Sequence, residues 1–326
     1  MKLQQLRFIR EVARQNLNVT AAAESLFTSQ PGISKQIRLL EEELGVLIFE
    51  RNGKNLSRIT EPGKRILALA DEALRSAGSI QKVAEEFRNE DIGSLSVGTT
   101  HTQARYALPP AIAEFRRRYP KVSLHIHQGT PQQIADWAAH GEVDFAIATE
   151  AMHLFDELVM LPCYRWNRCV LVPPGHPLIE EPTLSLKAVA DFPLITYVFG
   201  FTGRSKLDQA FLERGLKPEV VLTATDADVI KTYVKLGLGI GIVANMAFDA
   251  TTESDLVALD ASHLFDSSIT NIGFRRGSYL KRYMVDFMTL FSPNLSAKEI
   301  EHVAALPSGK EQQARIKQIA ENVPKR

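Results

Sequence analysis

Gln30, Ser34, Lys35 and Arg38 fall on one face of a helix whose other face carries Ile33, Ile37, Leu40 and Leu44. Lys and Arg pair with guanine, Gln with adenine and Ser with either, so this polar face has the chemistry to read a major groove. Ser29 is a natural cap for the helix, and Pro31 stands in its first turn, where a missing N–H does no harm. Downstream, Arg51, Lys54 and Arg58 surround an Asn52-Gly53 turn signal between Leu47-Ile48-Phe49 and Ser57 to Thr60. On a hairpin wing these cations would meet phosphate or the minor groove, adding affinity more than sequence choice. The acidic run Glu41-Glu42-Glu43 is expected to point away from the nucleic acid.

A second constellation is hydroxylic. Thr99-Thr100-His101-Thr102-Gln103 follows a strand and opens a helix, Thr149 follows another strand, and Thr202 follows the segment Tyr197 to Phe201. Ligands of α/β sheets sit at the carboxyl ends of strands, and helix N-terminal N–H groups receive anions. Neutral donors in that setting would hold a small oxyanion or carboxylate reversibly. Turn formation and helix capping are the ordinary alternatives for each threonine taken singly.

Other chemistry is weaker. His125 and His127 share a strand face without a third ligand in view, so no metal is expected. Gly237, Gly239 and Gly241 follow a helix and lead into the apolar stretch Ile240 to Val243, the reverse of a nucleotide loop, and read as turn residues. With no G-x-S-x-G, P-loop or H-E-x-x-H pattern, no catalytic set assembles and the chain is not read as an enzyme. Cys163 and Cys169 stand far from any second pair and read as buried, reduced thiols.

The elements that must position these groups follow from periodicity. Leu3, Leu6, Phe8, Ile9, Val12 and Ala13 predict a helix from Leu3 to Arg14, Asn18 caps a short Ala-rich helix, and the Ser29-capped helix runs to Leu44. From Glu61 to Arg88 a long helix carries Ile66, Leu69, Ala73, Ile80, Val83 and Phe87 at near-heptad spacing, a seam suited to a second copy of the chain. Its own domain is the alternative partner. Beyond a hinge at Asp91-Ile92-Gly93, strands at Leu95 to Gly98, Val122 to His127, Asp144 to Ala148, Leu194 to Val198 and Val220 to Thr223 alternate with helices. Those helices lie at Ala107 to Tyr119, Gln132 to His140, Ser205 to Arg214 and Ala227 to Leu236. Two such groups of βα units predict two lobes on mostly parallel sheets with a cleft between them.

Bulk properties constrain this reading. The 326 residues balance 38 Lys plus Arg against 38 Asp plus Glu, so net charge cannot argue for nucleic acid. Residues 1–60 carry nine basic against six acidic side chains, a modest surplus of the required sign. Met1 to Glu11 is polar, with neither a signal-peptide pattern nor a membrane span, which makes the cytoplasm the expected location and opposes an exported solute-binding protein. The expected domains are a winged helix-turn-helix at 1–60, a linker helix at 61–91, an effector domain at 92–293 and a polar tail at 294–326. That tail contains a short helix near Ala297 to Ala305, a Pro307-Ser308-Gly309 break and a charged, helix-prone end without an assigned role.

Thr20-Ala21-Ala22-Ala23, Ser29-Gln30-Pro31, Ser34-Lys35-Gln36-Ile37, Leu40-Glu41, Leu44-Gly45 and Phe49-Glu50-Arg51 resemble the LysR-type transcriptional regulators. The resemblance continues to about residue 290 and implies a two-lobed, periplasmic-binding-protein-like effector domain. Thr99-Thr100-His101-Thr102-Gln103-Ala104-Arg105-Tyr106 is similar to the signature of the branch that regulates cysteine biosynthesis. That branch implies activation of sulfur-assimilation genes, an acetylated serine as inducer and no cofactor. It also implies sulfate held through Thr100, Thr102, Gln103, Thr149 and Thr202, with Trp166 beside Thr149 as a further ligand candidate. The expected partners are double-stranded promoter DNA with dyad symmetry, RNA polymerase, and further copies of the chain in a dimer or tetramer. Regulators of other sulfur, redox or nitrogen genes share the same features.

Overall fold

Residues 1–53, 55–88, 92–149, 155–201 and 203–325 are described by a computed structural model. The N-terminal unit holds α1 (Leu3–Arg14), α2 (Val19–Ser25), α3 (Gln30–Leu44), β1 (Phe49–Asn52), β2 (Asn55–Ile59) and α4 (Glu61–Arg88). Asn18 caps α2 by accepting from the N–H groups of Thr20 and Ala21, which supplies two of the orphan donors at that terminus. Gly45 closes α3 at φ 69°, a conformation cheap only without a Cβ. Ile33, Ile37 and Leu40 are wholly buried with Ile9, Val12 and Ala22, each large apolar side chain contributing about 1.5–3 kcal/mol.

Particular expectations change here. Leu44 is 38 % exposed rather than part of the buried face, because the helix ends there. Glu41 turns inward and is buried. Its carboxylate accepts from the N–H groups of Ile48 at 2.9 Å and Phe49 at 3.1 Å, so it anchors the start of the wing. Asn52 pairs with Asn55, which puts Gly53, at φ 62°, in the turn and Asn52 on the strand. The first half of α4 packs on its own domain through Ile66, Ala70 and Leu74, while Leu69 and Ile80 are exposed. The side chains of Val83 and Phe87, and Asp91 of the expected hinge, lie outside the described residues, while Gly93 already belongs to the strand that follows.

In the second unit β3 (Gly93–Thr99) leads into a π-helical turn (Gln103–Ala107), then α5 (Pro109–Arg118), β4 (Val122–Gln128), α6 (Pro131–His140) and β5 (Phe145–Ala148). Next come β6 (Leu158–Trp166), β7 (Arg168–Val172), α7 (Leu186–Ala190), β8 (Leu194–Tyr197), α8 (Arg204–Glu213), β9 (Val220–Ala224) and α9 (Ala227–Lys235). The chain closes with β10 (Ile240–Ala244), β11 (Val257–Asp260), β12 (Ser268–Arg275), α10 (Arg282–Phe291), α11 (Ala297–Ala305) and α12 (Lys310–Glu321). One sheet has the order β4-β3-β5-β12-β6 and the other β11-β7-β10-β8-β9, giving two lobes.

The sheets are mixed rather than mostly parallel. β3 runs parallel to β4 and β5, and β8 to β9 and β10, but β12 and β7 each pair antiparallel on both sides. Sequence periodicity does not anticipate β6, β7, β11 or β12. Part of the reason is visible at Pro162, which stands in β6 beside a register shift between Thr270 and Asn271, and a bulge on an edge strand is where proline is tolerated. The expected helix at Ala107 begins instead at Pro109, after the π turn. Gly241 lies inside β10 rather than in a turn, since a Cβ there would meet the side chains of Val234 and Ile230. The lobes join at Asn167, a single residue between β6 and β7, whose amide donates to the carbonyls of Ser262 and Phe265 at 2.9 and 3.0 Å in the turn segment that links β11 to β12.

Candidate functional site

On α3 the residues expected to reach DNA are displayed as the helical period requires. Gln30, Pro31, Lys35 and Arg38 are exposed, and Ser34 is half-buried. Gln30 Nε2 donates to Ser34 Oγ at 3.1 Å, so these side chains form one polar unit spanning a helical turn. The wing cations are not free in the way the sequence suggests. Arg58 makes a two-pronged contact to Glu50 at 2.6 and 2.7 Å, and Arg51 reaches the buried Glu41 at 3.5 Å. The Arg58 hydrogen bonds hold the Glu50 carboxyl below its ordinary range. Lys54 lies outside the described residues.

In the effector unit the strand ends converge on a residue that sequence reasoning missed. Thr270 of β12 is fully buried, and its Oγ1 accepts from Trp166 Nε1 at 3.1 Å and from Gln103 Nε2 at 3.3 Å. Thr149 Oγ1 lies 3.4 Å from the same oxygen. Tyr164 Oη donates to Gln103 Oε1, so both ends of that amide are committed. The π turn starting at Gln103 widens the helix just where its side chain enters the cluster, a frequent device at functional positions. The structure thus brings together Gln103, Thr149 and Trp166 of the expected set, and adds Thr270 and Tyr164.

Thr102 behaves differently. Its hydroxyl is buried without a hydrogen-bond partner among the described residues, and so is the hydroxyl of Tyr197 at the end of β8 on the other lobe. Burial pushes the Tyr197 hydroxyl above its ordinary pKa. Orphaned buried hydroxyls of this kind are costly unless something else satisfies them. Thr100 is buried, with its carbonyl accepting from the Ala104 N–H at 3.0 Å, and no hydrogen bond among the described residues links its side chain to the Thr270 cluster. Thr202 lies outside the described residues. The guanidinium of Arg168 sits 5.4 Å from the Trp166 ring centroid and donates to the Gly203 carbonyl at 2.7 Å, which sets positive charge beside the cluster.

A charged latch closes the lobes beside it. Lys231 Nζ lies 2.7 Å from Tyr106 Oη, 3.0 Å from Asp228 and 2.9 Å from Glu253. Tyr106 follows β3, whereas Asp228 and Lys231 lie on α9. Burial works against the Lys231 ammonium, but Tyr106, Glu253 and Asp228 outweigh it and hold its pKa above the ordinary value. His101, Asp226 and Asp228 are the one group of metal-ligand types that comes together among the described residues. The Asp228 carboxylate is already taken by Lys231, Arg105 and Tyr106, and Asp226 caps α9. His125 and His127 are exposed on β4. Burial pushes the Cys163 and Cys169 thiols up to about 12, so neither has the thiolate character of a redox sensor.

Comparison with known proteins decides the family. Residues 3–64 match the family described as bacterial regulatory helix-turn-helix protein, lysR family, and residues 88–296 match the LysR substrate binding domain. The chain belongs to the LysR-type transcriptional regulators. It is 56 % identical to the HTH-type transcriptional regulator CysB of Haemophilus influenzae, with 94 % of each chain covered. It is 52 % identical to the regulator SsuR of Burkholderia cenocepacia, covering 92 % of this chain and 97 % of that one. The crystal structure of the cofactor-binding domain of the Cbl transcriptional regulator matches with a TM-score of 0.65 at 44 % identity, over 67 % of this chain and 96 % of that one. A LysR-type regulator binds promoter DNA through its helix-turn-helix and a small effector through its substrate-binding domain, and it is not an enzyme. Among the described residues no helix is long and apolar enough to cross a membrane.

The residues that pattern reading missed share a cause. Tyr164 and Thr270 sit on β6 and β12, strands that periodicity does not reveal, and Tyr197 ends a strand that was expected but whose last residue was not singled out. The one available signal was position, because Tyr197 occupies the carboxyl end of β8 as Thr99 occupies that of β3.

Proposed function

We propose that this LysR-type regulator controls cysteine biosynthesis and sulfur-assimilation genes, chiefly as an activator, in response to a small acetylated amino acid such as N-acetylserine or O-acetylserine. Sulfate or a like oxyanion is the competing occupant of the same cleft. The observation that carries this reading is the meeting of Gln103, Thr149 and Trp166 at Thr270, beside the unpartnered hydroxyls of Thr102 and Tyr197. A ligand with a carboxylate and an acetyl carbonyl offers several acceptors to those donors. It would bridge a hydroxyl of one lobe to a hydroxyl of the other, so its binding would select the closed arrangement. The resemblance to regulators of cysteine biosynthesis supplies the biological subject.

On the DNA side, Gln30, Ser34, Lys35 and Arg38 read base edges from α3, and Arg51 and Lys54 steady the wing on phosphate while Glu50 holds Arg58 back. Exposed Leu69 and Ile80 on α4 supply an apolar stripe for a second copy, which fits a dyad-related operator read by a dimer or tetramer. RNA polymerase is the partner through which such an activator would act.

A gel-shift titration of sulfur-gene promoter DNA with and without N-acetylserine tests the reading. Complexes that change mobility or affinity with ligand are expected, and Lys35→Ala should lose operator discrimination while keeping ligand affinity. Complexes indifferent to N-acetylserine, O-acetylserine and sulfate at every concentration would remove the inducer assignment.

A further inference from the structure

The polar end of the chain, to which sequence patterns assign no role, is built into the outer edge of β6. That strand lies at the margin of its sheet, and its residues Tyr164 and Trp166 supply two of the contacts in the Thr270 cluster. Between them stands Arg165. Its backbone N–H donates to the Pro324 carbonyl at 2.7 Å, its Nη2 donates to the Ala320 carbonyl at 2.9 Å, and it forms a parallel bridge with Lys325. The other end of β6 is held as well, because Arg276 donates to the Leu158 carbonyl at 3.2 Å and to Gln312 Oε1 at 2.6 Å. Gln312 is buried on α12, and its amide donates to the carbonyls of Val303 and Leu306 at 2.9 and 3.1 Å. Ile319 and Val323 are buried, and Ile319 belongs to the apolar core that contains Tyr164 and Trp166.

We infer that residues 310–325 are a positioning element for the effector site, with Arg165 as the residue through which they act. The inference rests on the effector reading proposed above. A bulged edge strand has open N–H groups and little to fix its twist. Apolar packing alone would hold α12 against the lobe without touching the backbone of β6. Instead the chain end pairs with the single residue separating Tyr164 from Trp166, so movement of the tail becomes movement of both side chains in the cluster.

Trp166 reports directly, because the chain has two tryptophans and Trp137→Phe leaves it alone. In that full-length background one variant lacks residues 323–326 and another carries Arg165→Ala. Trp166 emission, acrylamide quenching and calorimetric titration with N-acetylserine and with sulfate are measured on each, after circular dichroism shows that the fold is retained. The expected result is red-shifted, more quenchable Trp166 emission and an affinity lower by about ten-fold in both variants. Unchanged emission in a folded variant overturns the inference, as does altered emission with parental affinity. If the parent binds neither probe, the effector reading fails, and the emission of the variants still decides whether the tail holds the strand.

Discussion

Replacing Thr270 by Val keeps a β-branched side chain of nearly the same shape in the middle of β12 and removes only the oxygen on which the cluster converges. Two buried donors then lose their acceptor, the Trp166 indole N–H and the Gln103 amide N–H. Each buried donor left unsatisfied costs about 1–3 kcal/mol. Two such losses sum to about 2–6 kcal/mol, and because Tyr164 still holds the other end of the Gln103 amide the expected loss is the lower part, about 2–4 kcal/mol. At about 2–4 °C per kcal/mol for a domain of this size, the melting temperature of Thr270→Val should fall by roughly 5–15 °C. Thr270→Ser keeps the oxygen and loses one methyl, so it should lose only about 1 kcal/mol. Thermal melts followed by near-ultraviolet circular dichroism, with calorimetric titration of N-acetylserine, read both effects. If Thr270→Val melts within a degree of the parent and binds with the same affinity, Thr270 is not the convergence point and the site has been misread.

Glu50→Gln releases Arg58 from its carboxylate, so DNA binding should tighten and the log–log salt dependence should steepen by about 0.9, one additional phosphate contact; an unchanged slope in a salt titration would keep Arg58 off the DNA. Lys231→Met should destabilise the effector unit at pH 7 by about 1–3 kcal/mol, a figure reduced because Asp228 is 41 % exposed. Lys231 has its pKa raised, so its contribution is complete at neutral pH and disappears only as pH climbs past the ordinary lysine range through the folded value. Asp228 has burial pushing its pKa up but Tyr106 and Lys231 pulling it lower on balance, so its share is lost on the acid side. Melts across pH should therefore show the parent and Lys231→Met beginning to converge below about pH 4 and above about pH 10.5, with convergence complete only beyond the folded values at either end, and a difference independent of pH would refute the latch. Cys163 and Cys169 should stay unreactive toward an aromatic disulfide reagent at pH 8 until the protein unfolds, and rapid labelling of the native protein would contradict their burial.

The helix-turn-helix was legible almost to the residue, because α1, α2 and α3 rest on local rules. An Asn18 cap, a Ser29 cap with Pro31 behind it, and a 3.6-residue apolar period act within a few residues of chain. The outward face of α3 was therefore determined by sequence alone, as were the strand ends that present Thr102, Gln103 and Thr149. Partnerships between distant segments were not. Glu41 looked like part of a solvated acidic run, yet the wing backbone claims it seven and eight residues later. Arg58 looked like a phosphate ligand, yet register across the hairpin sets Glu50 opposite it. Gln103 meets Thr270 across 167 positions, and Arg165 meets Ala320 across 155, separations at which no periodicity survives. Local propensity thus determined which elements form and which faces they show. Burial and strand pairing, which act only once the chain is folded, decided which polar groups are satisfied, which hydroxyls stay unpartnered, and that the polar tail is bonded to the edge strand β6.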